Sequence, residues 1–273
     1  ERLRVLFGTS DVVLPLSCSG TGAMTAAVYS LFTPGQRVLV IEGGKFGQRW
    51  REIAASRGLE TTTIEIPWGQ AVDPQAVAAA LKADPSIAGV LVQHSETSTG
   101  VLHPVQEVAR ITRETDTLLL VDGISAVSLA PCPMDQWGID CLVTGSQKGL
   151  MLPPGLALLA LSPRAWKRAE SLAPGCFYFN LPKERAKVAQ GQTLFTSAVN
   201  LVVGLDESLD MLLENGLEAV YAKQWALTML TRAGVAAMGL ELYAKEHFAW
   251  GITSVMLPAG VDGTEVLRIA MDK

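Results

Sequence analysis

Hydrophobic positions along the chain alternate between two periods. Arg37 to Gly43 (RVLVIEG), Ala88 to Ser95 (AGVLVQHS), Thr117 to Gly123 (TLLLVDG) and Ile139 to Ser146 (IDCLVTGS) are short runs of β-branched residues and leucine that end in Gly or Ser. Runs that are apolar at nearly every position predict strands covered on both faces, as in a mainly parallel sheet. Between them lie segments of helical spacing: Gly22 to Thr33, Gln48 to Gly58, Asp73 to Asp84 and Val105 to Asp116. The third opens with Asp73 ahead of Pro74, a capping carboxylate followed by a residue whose φ is already helical. Alternation of this length predicts an α/β domain with helices on both faces of the sheet. A later helical stretch, Leu213 to Gly234, leads towards a smaller C-terminal domain. We place the large domain at residues 1–200 and the smaller α+β domain at 201–273.

In such sheets ligands bind beyond the carboxyl ends of the strands, so the residues that follow each strand are the candidates for chemistry. Ser17 to Met24 (SCSGTGAM) is a glycine-rich turn running into a helix, whose free amides and dipole suit an anion. A structural turn explains it equally well, and it lacks the full G-x-G-x-x-G spacing of a dinucleotide loop. Asp122 closes an apolar strand in VDGIS, where a carboxylate either caps a turn or faces a cation in the cleft. His94 to Gly100 (HSETSTG) is a hydroxyl-rich turn. Thr144 to Gly155 (TGSQKGLMLPPG) sets Lys148 between a polar turn and an apolar run. An ordinary solvated loop lysine is one reading of it; burial or half-burial against the apolar run is the other, and that is the setting in which an amine becomes a nucleophile.

Composition narrows the partners. With 22 Lys and Arg against 27 Asp and Glu, the net charge is −5, which leaves no basic surplus for nucleic acid or an anionic membrane. The cysteines, Cys18, Cys132, Cys141 and Cys176, and the histidines, His94, His103 and His247, show no metal-ligand spacing, so no metal is expected. Buried free thiols in a reducing cytoplasm are the expected state. No apolar run reaches membrane-spanning length, and Glu1 to Arg4 does not resemble a signal peptide.

An anion cradle, an acid at one strand end and a lysine at a later one are the parts that pyridoxal 5′-phosphate (PLP) needs. The segments SGTGAMTA, GKFGQRW, HSETSTGV, LLLVDGISA, GIDCLVTGSQKGLMLPPG and VLRIA, in this order, resemble the class V aminotransferases of PLP fold type I, most closely the alanine–glyoxylate and serine–pyruvate group. The resemblance implies that fold, with a seven-stranded-type sheet, and an exchange of amino groups between a small amino acid, alanine or serine, and a 2-oxo acid, glyoxylate or pyruvate. It also implies a homodimer with shared sites. Lys148 would form the Schiff base and shuttle a proton, and Asp122 would keep the ring nitrogen protonated. Phe46 and Ile124 would cover the two ring faces, and Thr97 would hydrogen-bond the ring hydroxyl. Ser19, Gly20, Thr21, Gly22 and Gln147 would bind the phosphate, which Thr196 of a neighbouring subunit would complete, and Arg268 would fork onto the substrate carboxylate. Thr193 stands where some relatives carry a tyrosine. Relatives also have several dozen residues ahead of the phosphate loop, and a helix and strand ahead of the arginine, so we expect a parent protein longer than these 273 residues. Aminoethylphosphonate aminotransferases, cysteine desulfurases, a silent subunit of the same fold and a nicotinamide dehydrogenase are the alternatives. The desulfurases carry a histidine where Gln147 stands.

Overall fold

Each of the four apolar runs contains a strand of one sheet, and three strands without that signature complete it. The computed structural model describes residues 1–272. Its strands are β1 (Val13–Leu16), β2 (Arg37–Glu42), β3 (Glu60–Glu65), β4 (Ile87–Gln93), β5 (Ser95–Glu96), β6 (Val101–Leu102), β7 (Leu118–Asp122), β8 (Cys141–Gly145) and β9 (Ala157–Leu161). Seven form the main sheet in the order β1-β9-β8-β7-β4-β2-β3, while β5 and β6 make a small hairpin beside it. Every pairing from β8 to β3 is parallel; β9 pairs antiparallel with both β8 and β1, so it alone runs against the other six. The expected mainly parallel α/β architecture is therefore the observed one.

The helices are α1 (Arg2–Phe7), α2 (Gly20–Leu31), α3 (Lys45–Ser56), α4 (Pro74–Ala83), α5 (Val105–Arg113), α6 (Met134–Trp137), α7 (Pro163–Ser171), α8 (Leu181–Val188), α9 (Val199–Leu213), α10 (Leu217–Ala237) and α11 (Gly263–Met271). They cover both faces, and the period of two along each strand decides which residue meets which layer. Leu39 and Ile41 of β2 and Leu119 and Val121 of β7 pack with α1, α4, α5 and α9. Val38, Val40, Leu118 and Leu120 face the other way, against α2, α3 and α7. Leu205, Leu209 and Leu212 place α9 in the first of these cores, so it packs with the sheet although it begins at the expected domain boundary.

Beyond α9, aromatic contacts hold the C-terminal segment to α10. Trp225 stacks on Phe248 with ring centroids 5.6 Å apart and lies 5.0 Å from Trp250. The Arg232 guanidinium sits 3.7 Å from the Phe248 ring centre, and Gln224 donates to the Trp250 carbonyl at 2.7 Å. Among the described residues, no helix is long and apolar enough to cross a membrane. The thiols depart from expectation in part: Cys132 and Cys141 are buried, but Cys18 and Cys176 are half-buried, because each lies on a loop at the rim of the core.

Leu120 is fully buried at the middle of β7. Leu120→Ala is expected to cost about 2–5 kcal/mol of stability. Urea unfolding monitored by circular dichroism measures it, and a loss well under 1 kcal/mol would mean that this central strand is loosely packed.

Candidate active site

Five strand-to-helix or strand-to-loop connections deliver polar groups to one edge of the sheet. After β1 the chain turns directly into α2, and Ser19 caps it by accepting the Gly22 N–H at 3.3 Å. Amides of a first turn have no intrahelical acceptor, and the first turn of α2 contains no acid, so the cradle is free for an anion. Two glycines are required by close approach. A Cβ on Gly20 would collide with Ile124 Cδ1, and one on Gly22 would stand 2.7 Å from Cys18 Cβ. The cradle and Ile124 are thus in contact across β1 and β7.

At the end of β7, Asp122 is buried and receives one hydrogen bond, from the Ile124 N–H at 2.8 Å. Burial pushes its pKa up to about 7, and the charge of Glu96 pushes the same way; the Ile124 amide, Arg49 and Lys148 pull it down. The end of β2 feeds α3, which carries Phe46 in its first turn. The Arg49 guanidinium lies 4.8 Å from the Phe46 ring centre and also donates to Thr21 Oγ1 at 3.2 Å, so it links this ring to the cradle. After β4, Thr97 Oγ1 and Ser125 Oγ share a hydrogen bond of 2.7 Å, which joins the hydroxyl-rich turn to the residue following Ile124.

The Lys148 loop is built by Ser146, whose Oγ donates to the Pro153 carbonyl at 2.7 Å and accepts the Leu156 N–H at 3.3 Å. The Met151 amide closes the turn on the Lys148 carbonyl at 2.9 Å. Gly149 lies against Ser128, where a Cβ would collide with the serine Oγ. Gln147 folds over Gly145, with Oε1 only 2.9 Å from where a Cβ would be.

One alternative is settled and one expectation corrected here. Lys148 is exposed, as a solvated loop lysine is, and not half-buried: the apolar run after it turns inward at Leu150, while Gly149 packs against Ser128 and leaves Gln147 and Lys148 facing outward. It borders a cavity of about 560 Å³ that also touches Ser125, Ser128, Met151, Lys223 and Gln224. Arg268 is not brought to this edge. VLRIA is helical, in α11, because Asp262 caps the helix through the Thr264 amide, and the guanidinium pairs with Glu265 at 2.7 Å and Asp272 at 3.0 Å. Thr196 is exposed beside Ser17, near the cradle of its own chain, in a segment tied down by the Ala198 amide donating to Ser17 Oγ at 3.0 Å.

Sequence reasoning passed over Arg49 and Glu96, although both lie inside segments singled out for other residues. Their signal was a charge placed within a turn that an apolar core adjoins. Ser19 to Gly22, Phe46, Thr97, Asp122, Ile124, Gln147 and Lys148 do share one edge. A cradle of neutral amides, a buried acid without a cationic hydrogen-bond partner and an amine nearby fit a phosphorylated pyridine aldehyde. Among the described residues, no three His, Cys, Asp or Glu side chains gather as a metal site.

The chain is similar to known proteins along nearly its whole length. The family model described as "Aminotransferase class-V" matches residues 2–270. The soluble hydrogenase small subunit of Synechococcus sp. (strain PCC 6716) is 39% identical over 99% of this chain and 71% of its own length. The serine–glyoxylate aminotransferase of Methylorubrum extorquens is 34% identical over 99% of this chain and 70% of its own. The crystal structure of the alanine–glyoxylate aminotransferase of Nostoc sp. superposes with a TM-score of 0.94 at 30% identity, covering 99% of this chain and 73% of that one.

In the cofactor-free protein, folded Asp122 keeps its proton up to about pH 7, whereas the unfolded chain releases it in the ordinary carboxylate range. Stability from this group is therefore present at low pH and lost as the pH rises from about 4 to about 7. Thermal melts of wild type and Asp122→Asn across that range test this: the gain of the variant over wild type should grow with pH. A difference that is constant with pH would overturn it.

Proposed function

The chain belongs to the class V aminotransferase family and is a PLP-dependent transaminase, and on that premise we propose that it moves the amino group of alanine or serine to glyoxylate or pyruvate. The observation that carries this reading is the convergence of Asp122, the α2 cradle and Lys148 on one sheet edge, with Asp122 buried and facing no cationic hydrogen-bond partner. When bound, PLP supplies a carbonyl that takes up the amino group and a ring that withdraws electrons while its nitrogen is protonated.

Each residue then has a defined task. The Ser19 to Gly22 turn and Gln147 would hold the phosphate. Asp122 would accept a charge-assisted hydrogen bond from the ring N–H. Phe46 and Ile124 would flank the ring, and Thr97 would hydrogen-bond the ring hydroxyl. Lys148 would supply the amine that holds the cofactor and the base that moves a proton at the substrate Cα. Arg268 is left out of this set, since its guanidinium is engaged by Glu265 and Asp272 on α11.

A second copy of the chain fits the reading. Phe177 is 85% exposed, Met211 68% and Leu230 71%, apolar positions of the kind a partner would cover. Thr196, expected to serve a neighbouring subunit, lies beside Ser17 of its own chain. The hydrogenase name of the Synechococcus relative stays with that protein.

The test uses the full chain loaded with PLP. The expected result is a visible absorption band that bleaches with L-alanine or L-serine and returns with glyoxylate or pyruvate, together with a borohydride-fixed adduct on Lys148. Lys148→Ala should lose the adduct and at least about 10²–10⁴ of the turnover, the usual share of positioned acid–base catalysis. A band that ignores both amino acids, but responds to aminoethylphosphonate, would replace the substrates. A coloured protein without turnover on any donor would make it a silent subunit, and a colourless one would refute the assignment.

A further inference from the structure

Glu96 has no task in the scheme above, yet it is fully buried and held by four hydrogen bonds. Its Oε2 accepts the backbone N–H groups of Phe46 and Gly47, both at 3.1 Å. Its Oε1 accepts the Ser98 N–H at 3.0 Å and the Ser98 hydroxyl at 2.5 Å. All four donors are neutral. A carboxylate removed from water needs such donors, and two of them lie at a helix N-terminus, where the dipole favours an anion.

The arrangement replaces a local cap. The residue before α3 is Gly44, which has no side chain to offer, so a carboxylate 50 positions beyond Phe46 satisfies the first-turn amides. Gly44 also leaves room for it, since a Cβ there would stand 2.5 Å from both Glu96 Cδ and Ser98 Oγ. Lys45 is drawn into the same knot through its amide, which donates to Ser98 Oγ at 3.0 Å.

We infer that Glu96 is a positioning residue for the cofactor: by holding the first turn of α3 it fixes Phe46 against the ring, and through the adjoining Thr97 it keeps the opposite side of the cleft in register. The inference rests on the reading of Phe46 as the ring-stacking residue. A carboxylate that merely stabilised the fold would act on α3 whether or not Phe46 carried its ring. One that acts through Phe46 loses its influence on cofactor binding when that ring is removed.

The experiment is a double-mutant cycle on the full chain, read as PLP dissociation constant and as visible circular dichroism of the bound cofactor, with melts of each protein alongside. Glu96→Ala is expected to weaken PLP binding about tenfold and to diminish the visible dichroism, but to change affinity little when added to Phe46→Ala. Glu96→Gln, whose amide oxygen still accepts the Phe46 and Gly47 N–H groups, should restore most of the affinity. Equal losses in both backgrounds, or a lowered melting point with unchanged PLP affinity, would overturn the inference. If Glu96→Ala does not fold, Gly44→Ala displaces the same carboxylate and should show the same dependence on Phe46. The wild-type titration comes first: absence of PLP binding there refutes the transaminase assignment, whereas a binding wild type with an additive cycle refutes only the role of Glu96.

Discussion

Complete coverage of the central strands is the constraint on which this structure depends. Every residue of β7 and β8 is buried, and helices pack on both faces, so a group that needs water or a ligand has room only where the strands stop. The hydrogen-bond ladder continues past those ends. The His94 amide donates to the Asp122 carbonyl at 2.8 Å, and the Gly123 amide donates to the Val143 carbonyl at 2.9 Å. Turn residues are therefore held in the register of the sheet, which is why Ile124 can meet Gly20, and Ser125 can meet Thr97, without a rigid loop of their own.

Two carboxylates at this edge are buried alike and differ in their partners. Glu96 has four donors, two of them amides at the start of a helix and two from Ser98. Asp122 has one. Desolvation dominates there, the nearby negative charge of Glu96 adds to it, and the neutral form is favoured over a range where a carboxyl is normally ionised. A cation brought into the cleft gains most beside the acid whose demand for a partner is unmet. A pyridinium nitrogen is such a cation, and Arg49, held between Phe46 and Thr21, is positioned towards the cradle instead.

The parts legible in the sequence were those whose signal is local. Strands β2, β4, β7 and β8 are continuous apolar runs, and Asp73 caps α4 through the Gln75 amide as its position ahead of Pro74 implies. Strand β3, ETTTIE, lies at the sheet edge and is polar; β1 is four residues long and contains Pro15; β9, ALLAL, has no period that separates it from a helix. Helix α3 begins three residues earlier than the pattern suggests because its cap comes from Glu96, which no nearby residue announces. The short apolar run VLRIA is equally ambiguous, and a cap at Asp262 decides it as a helix. For the site, the motif order named residues that the fold, Arg268 apart, gathers on one edge, but the exposure of Lys148 depends on the packing of Gly149 against Ser128, a contact between segments about 20 residues apart.

That exposure and the uncovered apolar positions belong together. Gln147, Lys148 and Thr196 are exposed, as are Val199 and Val203 on α9 and Met211 at its far end. An amine works as a nucleophile when water is excluded around it, and an apolar helix face is stable when water is excluded from it. One covering surface would satisfy both demands. A second copy of the chain placed over this side would shield the amine and bury the valines. Asp122, already desolvated within a single chain, is the part of the site that needs no such cover.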